Sequence, residues 1–81
     1  MFLFSKKPEY CNIMLITKNR GNVKLSLVKG KPIREALEQF NTHIIDKKEH
    51  ILKVYKHDIQ HNSIEYDIET PIMNNIVLYS Y

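Results

Sequence analysis

Gly30-Lys31-Pro32-Ile33-Arg34-Glu35-Ala36-Leu37-Glu38-Gln39-Phe40-Asn41-Thr42-His43-Ile44 is the stretch on which the fold turns. Glycine then proline ends what precedes and starts a helix, because proline presets φ and its missing N–H costs nothing in a first turn. Ile33, Ala36, Leu37, Phe40 and Ile44 fall at i, i+3, i+4, i+7 and i+11, which makes one apolar stripe. Arg34, Glu35, Glu38 and Gln39 lie off it and face water. The helix is expected to end near Ile44 or Ile45, before Asp46-Lys47-Lys48-Glu49 crosses solvent.

Upstream of this helix the periodicity changes to that of strands. Cys11-Asn12-Ile13-Met14-Leu15-Ile16 is an apolar run that reads as a strand buried on both faces. Lys18-Asn19-Arg20-Gly21-Asn22 supplies the Asn and Gly of a hairpin turn. Val23-Lys24-Leu25-Ser26-Leu27 then alternates with period two, Val23, Leu25 and Leu27 facing in. Downstream, residues 51–56 form a third strand with Leu52 and Val54 inward. After a turn at residues 58–62, Ile64, Tyr66 and Ile68 point one way and Glu65, Asp67 and Glu69 the other. Pairing of these two strands brings Lys53 near the acidic row, a favourable cross-strand arrangement. Thr70-Pro71 breaks the fourth strand, and Ile76-Val77-Leu78-Tyr79-Ser80-Tyr81 is a fifth, covered on both faces.

The expected class is α+β, in the order β-β-α-β-β-β, with one helix across a mixed sheet. Ile13, Leu15, Leu25, Leu37, Phe40 and Leu78 are expected to share its core. The first and last strands, being the most apolar, are expected side by side at the sheet centre. Two segments carry a resemblance. Gly30-Lys31-Pro32-Ile33-Arg34-Glu35-Ala36-Leu37 resembles the helix entry of β-grasp (ubiquitin-like) families such as the sulfur carriers and the TGS domain. Thr70-Pro71-Ile72-Met73-Asn74-Asn75-Ile76-Val77-Leu78 resembles their approach to the final strand, with Asn74-Asn75 in place of the usual Gly-Asp. The resemblance implies the sheet plan, but not carrier chemistry: the sequence ends Leu78-Tyr79-Ser80-Tyr81, without the Gly-Gly tail such carriers use.

With 81 residues there is room for one domain, spanning 1–81, with residues 1–8 as an N-terminal arm. Met1-Phe2-Leu3-Phe4 is too short for a signal-peptide core or a membrane span, so a cytoplasmic setting without membrane contact is expected. Cys11 is the only cysteine, which rules out an internal disulfide. It begins an apolar strand and reads as a core residue rather than a nucleophile. His43, His50, His57 and His61 lack the spacing and the Cys partners of a zinc site, so no metal is expected. No Gly-rich phosphate loop and no assembled nucleophile and base occur, and neither enzyme activity nor a cofactor is expected.

Charge is the remaining signal. Net charge is +3, but residues 1–34 hold eight bases against Glu9, and residues 35–81 hold four bases against eight acids. Lys18, Arg20, Lys24, Lys29, Lys31 and Arg34 form a basic stripe along the second strand, the candidate partner-binding set. A stripe suits an acidic protein surface or a polyanion backbone, although lysines at a sheet edge also serve to block unwanted pairing. Aromatic residues for base stacking are missing from this stretch. The expected function is a small non-enzymatic protein-interaction module, an adaptor or inhibitor docking an acidic partner through its sheet edge or outer face. Its composition suits a phage or mobile-element accessory protein. The alternative is non-specific RNA or DNA binding by the stripe.

Overall fold

A computed structural model describes residues 7–80; the apolar stretch at residues 1–4, and with it most of the expected arm, lies outside the described residues. Strands β1 (Tyr10–Thr17) and β2 (Gly21–Val28) form an antiparallel hairpin. Helix α1 (Ile33–Thr42) follows, then a 3-10 turn (Lys47–Glu49) and strands β3 (Val54–His57), β4 (Ser63–Tyr66) and β5 (Ile76–Ser80). The five strands make one mixed sheet in the order β2-β1-β5-β3-β4. The class is therefore α+β, as expected. β1 and β5 run parallel at its centre, with Ile13 opposite Ile76 and Leu15 opposite Leu78.

The hairpin register follows from one glycine. Thr17 pairs with Gly21, so Lys18, Asn19 and Arg20 make a three-residue loop. Closing such a loop needs a left-handed residue at its end, and Gly21 supplies φ +66° without a Cβ penalty. The Thr17 hydroxyl donates to the Gly21 carbonyl at 2.9 Å and accepts the Arg20 N–H at 2.8 Å.

Pro32 is the N-cap of α1 rather than its first helical residue, at φ −74° and ψ 149°. Its entry is fixed by long-range backbone bonds in place of a side-chain cap. Gly30 donates to the Ile72 carbonyl, Ile72 to that of Lys31, and Arg34 to that of Ile68. Ile33, Ala36 and Leu37 are buried as the stripe requires, and Ile44 is buried just beyond the helix end. Phe40 is only partly buried, at the margin of the core rather than inside it.

The core lies between α1 and one face of the sheet. Ile13, Leu15, Ile33, Val54 and Leu78 are fully inaccessible there, with Leu25 packed against them from the edge strand. Three expectations need correction. β1 and β5 are covered on one face only: Asn12 is exposed, Met14 and Ile16 half-buried, and Val77 47% exposed. A single helix cannot shield two faces, and an apolar run does not say which face it shields. β3 starts later than expected, and Leu52 points outward, 71% exposed. The Asn41 side chain takes both the N–H and the C=O of Ile51, which keeps that segment out of the sheet ladder. Ile64 is 44% exposed because β4 is an outer strand, and α1 lies toward the β2 side. Lys53 does come near the acidic row, lining one depression with Glu65 and Asp67, while the charged partner of Glu69 is Arg34.

Candidate functional site

The sheet face away from α1 is built by alternation. Residues that leave the core on β1 and β5, namely Met14, Ile16, Val77 and Tyr79, come to lie side by side through the parallel register, Met14 opposite Val77 and Ile16 opposite Tyr79. On the β2 side Lys24 lies opposite Met14, and on the far side Tyr55 of β3 lies opposite Tyr79. His57 stacks on Tyr79, with ring centroids 3.9 Å apart and planes 9° off parallel. A depression of about 270 Å³ opens on this face between Asn12, Met14, Lys24, Asn75 and Val77. The Asn75 carboxamide oxygen accepts the Asn12 N–H at 2.8 Å, which ties the loop before β5 to β1 at its rim. No element among the described residues covers this face.

The six stripe residues separate into three settings. Lys18 and Arg20 sit in the β1–β2 loop, where the Arg20 guanidinium donates to Glu49 at 3.1 Å. Lys24 stands alone at mid-strand on the open face, with no ion pair among the described residues. Lys29, Lys31 and Arg34 lie at the other end. Lys29 is 4.0 Å from Glu9, while Arg34 binds Glu69 at 2.8 Å and Glu38 at 3.3 Å. The hydrogen bond to Glu69, joined by that carboxylate's charge, raises the Arg34 pKa above its ordinary value. Arg34 thus works as a clasp between the helix entry and the segment before β5.

A second concavity was not legible from sequence spacing. A cleft of about 380 Å³ opens at the end of the sheet where the β1–β2 loop meets the segment between the 3-10 turn and β3. Lys18 and Arg20 from the loop line it together with Lys48, Lys53 and Tyr55. Lys48 and Lys53 are far from the stripe in the chain and reach it only because β3 follows β5 in the sheet. The cleft holds four cations against one carboxylate, Glu49. That leaves eight of each sign for the rest of the chain, so the whole excess of +3 is concentrated here.

The histidines are dispersed. His43 caps α1, the His50 ring contacts the Ile44 carbonyl at 3.0 Å, His57 stacks on Tyr79, and His61 occupies a left-handed turn position. Among the described residues no three His, Cys, Asp or Glu side chains come together as a metal-sized group. Cys11 is 3% exposed with its thiol 3.9 Å from the Ile72 carbonyl. No described helix is long and apolar enough to cross a membrane.

Together these features define a small α+β domain with one covered and one open sheet face and a basic cleft at one end. No protein-family model, no curated protein and no solved structure matches the chain.

Proposed function

We propose that this protein is a non-enzymatic interaction module of β-grasp-like plan, an adaptor or inhibitor that docks an acidic-rimmed protein on the open face of its sheet. The observation that carries the reading is the row Met14, Val77, Ile16 and Tyr79 at the sheet centre, apolar and aromatic yet with Val77 47% exposed and the other three only half-buried. Apolar side chains in a central strand are expected to be covered, and an open row of them marks a contact surface. Met and Tyr are enriched in the centres of interfaces whereas Lys is depleted there, so Lys24 belongs at the rim and favours a carboxylate opposite it.

The β-grasp plan draws support from the strand order β2-β1-β5-β3-β4 with β1 and β5 parallel. It also draws on the meeting of the two segments that carry the resemblance, Gly30 and Lys31 being hydrogen-bonded to Ile72.

The test is capture from the native host with matched baits. The expected result is one protein retained by the wild type, lost with Val77→Glu, and retained with Ile59→Glu, which alters a residue 98% exposed in the β3–β4 turn. Lys24→Glu should weaken the same complex mainly through its association rate. Survival of the complex in Val77→Glu refutes the open face as the docking surface. A free protein of twice the chain mass, reverting to monomer with Val77→Glu, identifies a second copy as the occupant instead.

A further inference from the structure

The basic cleft has a feature that the stripe alone does not: aromatic rings at its edge. Tyr55 lines the cleft, Tyr79 is its partner across the sheet, and His57, two residues further on, stacks on Tyr79. We propose that this cleft binds single-stranded nucleic acid, with phosphates held between the Lys18–Arg20 loop and Lys48 and Lys53, and bases laid along the row Tyr55, Tyr79 and His57. A basic groove that follows the backbone, combined with aromatic faces on which bases stack, is the pairing that single-strand binding requires. This site opens at the end of the sheet and shares Tyr79 with the docking row, whose other members Met14 and Val77 do not line the cleft.

Three observations select this ligand over other anions. The cleft volume of about 380 Å³ is at the small end of ligand pockets, enough for one nucleotide unit and too small for a duplex. The four cations come from two chain segments, the β1–β2 loop and residues 48–53, so the positive charge is spread over several side chains rather than held at one point. The Arg20–Glu49 pair is no obstacle, since its side chains are 42% and 40% exposed and a solvated pair exchanges readily for a phosphate. An acidic peptide would use the lysines but leave the aromatic row idle.

The experiment is fluorescence anisotropy of the intact protein with labelled oligo(U) and oligo(dT) of about 12 nucleotides, across a range of salt. Binding in the micromolar range at low salt is expected, and the log–log salt slope should shrink by about 0.7 for each cation removed in Lys18→Ala and Lys53→Ala. Tyr55→Leu should weaken binding by about tenfold with the slope unchanged, because stacking releases no counterions. A preference between the two oligomers assigns RNA or DNA. The proposal is overturned by no binding at about 100 µM protein in low salt. It is also overturned by affinity indifferent to the lysine variants, by a duplex binding as tightly, or by polyglutamate competing equally well. If either alanine variant is unfolded by its melting curve, Lys48→Gln replaces it, with the same change in slope expected.

Discussion

Asn41 joins helix to sheet with one side chain. Its carboxamide donates to the Ile51 carbonyl and accepts the Ile51 N–H, both at 2.9 Å, across a bend of ten residues. Ile51 is buried, so Asn41→Ala leaves two backbone groups without partners and should cost about 2 kcal/mol, read as a lower urea midpoint. Nothing in the sequence announced this clamp, because an Asn at the end of a helical stripe looks like any polar residue. The turn at Asp58 was legible, and its chemistry is testable by pH. Asp58 Oδ1 accepts the N–H groups of Gln60 and Asn62 at 2.9 and 2.8 Å. The hydrogen bond from the Asn62 backbone is the main reason its carboxyl titrates below the ordinary value. Its folded pKa lies below its unfolded one, so its stabilisation is present above the unfolded pKa and lost as pH falls through the folded value. Thermal melts should show stability declining below about pH 4, with a smaller decline in Asp58→Asn. Cys11, sealed under Ile72, should label with a thiol reagent only as fast as the protein opens.

At the scale of the element, α1 was legible because its period of 3.6 residues is set by the side chains alone, and Leu37 and Ile33 fall where the stripe puts them. The two helix residues differ in depth. Leu37→Ala should cost about 3 kcal/mol, whereas Phe40→Ala, at the core margin, should cost less than the 3–5 kcal/mol of a buried Phe. Urea denaturation of the two variants side by side checks this order; a greater loss at Phe40 refutes the depth assignment. Strands were legible in position but not in cover. Alternation within residues 11–16 is masked because Met14 and Ile16 are as apolar as Ile13 and Leu15, so the open face reads as a second core. The same masking hid the candidate docking row. For the cleft the obstacle was distance along the chain: Lys48 and Lys53 gain their role only from a strand order that no local pattern encodes.

For the whole molecule, folding brings two bases of the first part, Arg20 and Arg34, to acids of the second, while the excess of positive charge stays in the cleft. Arg34 reaches Glu69 and Arg20 reaches Glu49. These pairs are solvent-exposed and contribute little to stability, so raising salt from about 0.05 to 0.5 M should barely move the melting midpoint. A large loss would mean that the pairs hold the fold together. The central pairing of β1 with β5 has a consequence in time. Asn12 and Asn75 stand 63 positions apart, yet their contact flanks the middle of the sheet. As the chain leaves the ribosome, the hairpin and helix emerge first, with Ile13 and Leu15 lacking the Leu78 strand that flanks them. Closing so long a loop before any reward makes folding slow for a chain of this size. Until β5 arrives, the nascent protein carries an unpaired β1 edge that a chaperone, or another copy of the hairpin, can occupy in its place.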